Sequence, residues 1–305
     1  MTRPPIVLDC DPGIDDAFAL FCALRYGDLR AVTTVSGNVR IEDTTRNGLH
    51  LLDLVGRPDI PVHRGAAVPL EVEPSFAAYV HGPSGLGAAP TPEPSRTASD
   101  TSAVDALLEL AGHVTIVATG PLTNLANAVL ADPGFAARAG RIHWMGGSTA
   151  AGNVTDLAEF NAWADPHAVD VVFRSGIPIS MYGLNLTHQV RMTGAHADRL
   201  RAADTATSAT AAAFLDFYEA NGVQDGNGQP MHDPCAVLGL TDGARFTSSE
   251  SHIVVETADD STRGWTRVVD ADATNAAPIT VVETADAAPV IERIMAAAIA
   301  PDGAE

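Results

Sequence analysis

The sequence predicts an α/β fold, a single domain with a mostly parallel, Rossmann-like open sheet flanked by helices. Short apolar runs alternate with segments of helical periodicity along the chain, as repeated βα units require. The runs themselves, such as "VTIVAT" (Val114–Thr119), are almost continuously apolar, which suits parallel strands covered on both faces. The 305 residues are 46% apolar and show no internal repeat or sharp composition shift. One domain spanning 1–305 follows.

Taken in order, strands are expected at Ile6–Asp9, Ala31–Ser36, Val114–Thr119, Arg141–Met145 and Pro178–Tyr182. Helical patterns follow most of them, at Ile14–Tyr26, Ile41–Val55, Leu122–Leu130 and Pro166–Arg174. An alanine-rich helix around Ala209–Asn221 comes next, then another from Asp233. Three strands, His252–Glu256, Trp265–Val269 and Ile279–Val282, precede a last helix, Ala287–Ala300. The segment Val68–Ser102 breaks the alternation, being rich in Pro, Gly, Ser and Glu. It reads as a long irregular loop of the kind that is functional or mobile.

Composition narrows the classes of function. The formal charge is −20, and all 18 basic residues are arginine. Nucleic acid and anionic membrane both demand basic surface, so neither is an expected partner. Without lysine there is no Schiff-base chemistry and no phosphate-loop lysine. Cys10, Cys22 and Cys235 lie far apart with no C-x-x-C spacing, which is neither a disulfide framework nor a zinc ribbon. The start "MTRPPIVLDC" has too short an apolar run for a signal peptide, and no run of about 18 apolar residues spans a bilayer. A soluble cytoplasmic protein is expected.

The stretch "VLDCDPGIDDAFAL" places Asp9, Asp11, Asp15 and Asp16 right behind the first strand. Alternation along extended backbone lets Asp9 and Asp11 share a face. Pro12-Gly13 makes the turn, and Asp15 and Asp16 start the next helix, where neighbouring side chains point about 100° apart. The helix end eases the crowding without cancelling four carboxylates, and capping alone needs one or two acids. Ligands of parallel sheets bind beyond the carboxyl ends of strands, where this turn lies. A hard divalent cation, calcium or magnesium, would resolve the repulsion. An EF-hand is excluded, because its register puts Ile14 at the obligatory glycine and Leu20 at the closing glutamate.

"DCDPGIDDA" resembles the amino-terminal signature of the inosine–uridine-preferring nucleoside hydrolases. Further motifs agree in order: "SGN" (Ser36–Asn38), "VHGPSGLG" (Val80–Gly87), "ATGPLTNLA" (Ala118–Ala126), "MGG" (Met145–Gly147), "GNVTDLAEFNAWADP" (Gly152–Pro166) and "HDP" (His232–Pro234). The likeness runs from about Ile6 to Cys235, and the last seventy residues add little beyond compatible strands and a helix. It implies the nucleoside hydrolase fold and hydrolysis of the N-glycosidic bond of a ribonucleoside to ribose and free base. It also implies a bound Ca2+ held by Asp11, Asp16, Asp233 and the backbone carbonyl of Thr119, with Asp11 as the general base for the attacking water. Asp15, Asn38, Asn153, Glu159 and Asn161 map to the ribose-binding set, and Met145 lines the ribose pocket. The resemblance further suggests a homodimer or homotetramer.

Three pieces rest on weaker signals. His232, beside a metal ligand, is positioned to protonate or hydrogen-bond the leaving base, and His81 to close over substrate within a mobile active-site loop at 74–100. Glu159 and Asn161, two apart, reach one cleft if the backbone is extended. The stretch "NGVQDGNGQPM" (221–231) has no aromatic residue to meet a base, leaving Tyr218, Tyr79, Phe76 and Trp163 as candidates and base preference open. Two other classes compete with hydrolysis. A non-catalytic nucleoside- or ribose-binding protein would bind without turnover, and an aspartate-dependent phosphatase would lack the lysine such enzymes use.

Overall fold

The computed structural model describes residues 3–222, 226–257 and 261–301. Its strands are β1 (Pro5–Cys10), β2 (Asp28–Thr34), β3 (Val62–Arg64), β4 (Thr115–Ala118), β5 (Ile142–Met145), β6 (Ile179–Tyr182), β7 (Arg191–Met192), β8 (Gln229–Pro230), β9 (Phe246–Val255), β10 (Thr266–Val269) and β11 (Ile279–Ala285). Nine of them form one sheet in the order β10-β9-β11-β6-β5-β4-β1-β2-β3. Pairing is parallel from β3 through to β11 and antiparallel for β11 with β9 and β9 with β10. β7 and β8 form a separate two-stranded ribbon.

Side-chain alternation splits the core across the sheet. Ile6, Leu8 and Cys10 of β1 pack in one apolar cluster and Val7 in the other. Helix Ile14–Tyr26 lies in the first cluster with helices Ala206–Asn221, Pro234–Thr241 and Ala287–Ile299. Its residues from Ile14 to Leu24 are all buried, as an almost wholly apolar helix requires. Helices Thr123–Ala131 and Pro166–Arg174 cover the opposite face. This is the one-domain α/β architecture expected.

The order β3-β2-β1-β4-β5-β6 reverses direction between β1 and β4, and at such a reversal a crevice opens beyond the strand ends. The chain leaves β1 toward Asp11 on one side of that crevice and β4 toward Thr119 on the other.

The expected elements are present with ends shifted by a few residues, the largest shift being β9, which starts at Phe246 rather than His252. Among the elements that escaped prediction are β3, helix Ala103–Leu110, helix Gly194–Ala202, the ribbon β7–β8 and several one-turn helices such as Phe160–Ala164. β3 is three residues long and exists through its pairing with β2. Helix Ala103–Leu110 is launched by Ser102, whose hydroxyl accepts the Asp105 N–H, at the end of a stretch that read as loop.

The segment 74–100 contains one short helix, Ala78–His81, and is tied down at several points. Asn47 donates to the carbonyls of both Pro12 and Ser84, the Ala77 N–H donates to the Asn38 carbonyl, and the Ser95 N–H donates to Asp53.

Candidate active site

A cavity of about 290 Å³ lies in the crevice beyond β1 and β4. It is lined by Asp15, Asn38, His81, Thr119, Met145, Asn153, Glu159, Asn161, His232 and Asp233. Asp11 and Asp16 lie behind that lining and bond to it: the Asn38 N–H donates to Asp11 Oδ2 at 2.7 Å, and the Asn38 amide donates to Asp16 Oδ2 at 2.9 Å. Asp16 also accepts from the Thr119 hydroxyl at 2.8 Å and from the Gly13 N–H.

The aspartates divide their work by backbone position. Asp15 and Asp16 diverge, as consecutive helix residues do. Asp16 turns down to Asn38 and Thr119, whereas Asp15 accepts from the Tyr218 phenol at 2.7 Å. Asp9 turns away altogether: its Oδ1 accepts from Thr33 and Asn124, and it does not line the cavity.

Asp11 is fitted between two glycines. A Cβ on Gly37 would stand 2.0 Å from its Oδ2, and one on Gly120 would stand 2.7 Å from its Oδ1. Only a residue without a side chain lets these two loops close on the carboxylate.

One oxygen from each of Asp15, Asp16 and Asp233 lies within 4.8 Å of the others, an arrangement that could hold a metal ion. Asp16 and Asp233 are among the expected ligands, Asp15 is the residue expected on the ribose, and Asp11 is not in this group. The Thr119 carbonyl accepts from the Asn161 amide at 2.8 Å, leaving its second lone pair for any other partner.

The electrostatics fit a cation. Asp11 Oδ1 is buried and accepts no hydrogen bond from the described residues. Burial, and then Asp16, push the Asp11 carboxyl well above the ordinary carboxylate range. Burial, and then Asp15, push Asp16 up to about 7. Burial, then Asp15 and Asp16, push Asp233 well up too, and its hydrogen bond with Asp16 needs a proton on one of the pair. Carboxylates gathered in this way are stabilised by a positive charge among them. An all-oxygen donor set suits a hard ion.

Burial favours the neutral form of both His81 and His232. Burial lowers His81, and this outweighs its approach to Asp15 at 4.0 Å. The Ile14 N–H donates to His81 Nδ1 at 3.1 Å, so the ring proton sits on Nε2. Burial pushes His232 down to about 4, and its Nδ1 is 2.7 Å from the Thr187 hydroxyl.

Glu159 and Asn161 share the cavity for a different reason from the expected one. Glu159 is extended only as the cap of helix Phe160–Ala164, accepting from the Asn161 and Ala162 N–H groups, and no strand continues to Asn161. Asn161, in the first turn, donates to the carbonyls of Thr119 and Met145. Asn153 accepts from the Phe160 N–H. Of the aromatic candidates, Tyr218 and Tyr79 line the cavity, whereas Phe76 and Trp163 do not. Phe160, His188, Asn221 and Gln229 line it as well. Their separate local contexts give no sequence pattern that would have singled them out. Within the stretch 221–231, residues 223–225 lie outside the described residues.

Comparison with known proteins follows the same outline. The family model described as inosine-uridine preferring nucleoside hydrolase matches residues 6–292. The pyrimidine-specific ribonucleoside hydrolase RihA of Salmonella paratyphi A is 44% identical over 273 residues, 87% of this chain and 88% of the relative. A solved plant nucleoside hydrolase, PpNRh1, superposes with a TM-score of 0.92 and 36% identity, over 98% of this chain and 100% of the other. A purine-preferring ribonucleoside hydrolase from Gardnerella vaginalis superposes with a TM-score of 0.91 and 30% identity, over 98% and 99% of the two chains.

Proposed function

The chain belongs to the inosine-uridine preferring nucleoside hydrolase family, and from that premise we propose that it is a calcium-dependent hydrolase of ribonucleoside N-glycosidic bonds, with Asp11 as general base. The observation that carries the proposal is the set of buried carboxylates behind a cavity that opens at the reversal point of the sheet. Asp16 and Asp233, two of the three clustered carboxylates, would hold the calcium together with Asp11 and the Thr119 carbonyl, and Asp15, the third of the cluster, would lie beside it. Bound there, the ion supplies Lewis acidity toward water and ribose oxygens.

The chain's own groups account for the rest. Asp11 Oδ1, buried without a hydrogen-bond partner among the described residues, takes the proton of the attacking water. Departure of the base leaves an oxocarbenium-like sugar, and the carboxylates of Asp11, Asp15 and Asp16 favour that developing positive charge. Asp15, held by Tyr218, binds ribose hydroxyls together with Asn38, Asn153, Glu159 and Asn161, and Met145 packs against the ring. When Thr187 donates to His232 Nδ1, the ring proton of His232 is on Nε2, where it serves the leaving base as a hydrogen-bond donor. The low proton affinity of His232 suits donation from a neutral ring. His81 offers its Nε2 proton from the segment 74–100.

Pyrimidine ribonucleosides are the proposed preference, supported by the pyrimidine-specific relatives and by a segment 221–231 that carries no aromatic residue. The test is release of reducing sugar from uridine, cytidine, inosine and adenosine, with chelator and after calcium is restored. Turnover lost with chelator and regained with calcium is expected. No sugar release from any of the four would overturn the reading.

A further inference from the structure

One buried hydroxyl outside the cavity lining holds the loop that follows β5. Thr266, the first residue of β10, accepts from the Ser148 N–H and donates to the Ser148 carbonyl, both at 2.8 Å. A single side chain thus satisfies both backbone groups of a fully buried residue, which fixes where Ser148 sits. Gly147 has φ +69°, and a Cβ there would lie 2.9 Å from Thr266 Oγ1. Loop and hydroxyl are in close contact.

From this clamp two paths lead to the cavity. The Gly147 N–H donates to Glu159 Oε2 at 2.8 Å, and Glu159 orients the first turn that aims Asn161. On the other side, Ser148 Oγ donates to the Ala151 carbonyl and accepts from the Ala150 N–H, starting the loop that carries Asn153. The β9–β10 hairpin also grips the helix after Glu159. The Arg263 guanidinium lies 3.8 Å from the Trp163 ring centre, and Gly264 packs on the Trp163 backbone.

We infer that Thr266 is a positioning residue for the sugar end of the cavity, acting through Ser148 and Gly147 on Asn153, Glu159 and Asn161. The inference rests on the reading above that those three side chains hold the ribose. Thr266 itself does not line the cavity. The carboxyl-terminal part of the chain, which builds the antiparallel edge of the sheet, thereby sets the geometry of a site built on the parallel part.

The test compares Thr266→Val, which removes the hydroxyl and keeps the shape, with Thr266→Ser, which keeps the hydroxyl. In the valine variant, KM for the ribonucleoside that wild type turns over best and Ki for free ribose are both expected to rise about tenfold. The serine variant is expected to retain wild-type values. Thr266→Ala stands in for valine should that variant not fold. A purely structural role lowers the thermal midpoint and the active fraction, hence kcat, while KM and Ki stay put; that result overturns the inference. A raised KM in the serine variant overturns it too, by assigning the effect to the methyl group. Wild-type protein that releases no sugar from any ribonucleoside defeats the functional reading instead, and that arm is measured first.

Discussion

The Tyr218 phenol donates to the Asp15 carboxylate at 2.7 Å across 203 residues of chain. Both groups are buried, and the phenol is held protonated by burial first and then by Asp15 itself. Helix Ala206–Asn221 therefore orients the one aspartate of the first turn that faces the cavity. Tyr218→Phe keeps the packed ring and removes a hydrogen bond to a charged acceptor. Steady-state kinetics are expected to show KM raised and kcat/KM lowered about 10- to 100-fold, with the melting curve close to wild type.

Asp11→Asn separates catalysis from stability. As the proposed base, its loss is expected to lower kcat about 10³-fold. The folded state disfavours the charge on Asp11, so the neutral amide is expected to raise Tm of the metal-free protein at neutral pH. A sugar-release assay and a thermal melt in chelator check the two halves.

Gly37→Ala tests the fit around the same carboxylate. A methyl group 2.0 Å from Asp11 Oδ2 cannot coexist with the present loop, so either the loop or Asp11 must move. An activity loss of about 10²-fold and a destabilisation of about 1–3 kcal/mol are expected, read by kinetics and by denaturant unfolding.

Stability should depend on pH in a direction set by the buried carboxyls. Burial pushes Asp9 up to about 6 and Asp16 and Glu159 up to about 7. Unfolded carboxyls titrate near 4, so between about 4 and 7 the folded protein binds more protons and loses stability as pH rises. His143 and His232, pushed down by burial to about 4, act oppositely below about 6.5, where the unfolded chain binds the extra protons. Above about 6.5 the opposing histidine contribution fades, and toward about 7.5 the carboxylates prevail. Metal-free protein is expected to lose Tm across that interval. Saturating calcium is expected to remove the slope, because metal binding displaces protons, and to add about 2.7 kcal/mol at a hundredfold excess over Kd. Melts in chelator and in calcium at each pH measure both.

Much of this site was legible because its parts are local. Asp11, Asp15 and Asp16 sit within one strand–turn–helix unit, marked by the Pro12-Gly13 turn and by a helix that is almost wholly apolar after Asp16. Glu159 and Asn161 were paired correctly, but through a cap rather than a strand. Asp9 was grouped with Asp11 by alternation alone, and the structure parts them because Thr33 and Asn124 supply donors on the other side of the sheet. Thr266 carried no local signal at all. Its partner Ser148 lies 118 residues away.

The amino-acid order by itself determined the alternating α/β elements, the acidic turn after the first strand and the exclusion of lysine chemistry. Tertiary structure alone decided which oxygens meet and which side chains face the cavity. It also decided that the edge hairpin would brace the loop behind β5. The reason is physical: periodicity and turn chemistry act between residues a few positions apart, whereas hydrogen bonds such as Tyr218–Asp15 and Thr266–Ser148 exist only once the sheet has brought remote strands and helices together.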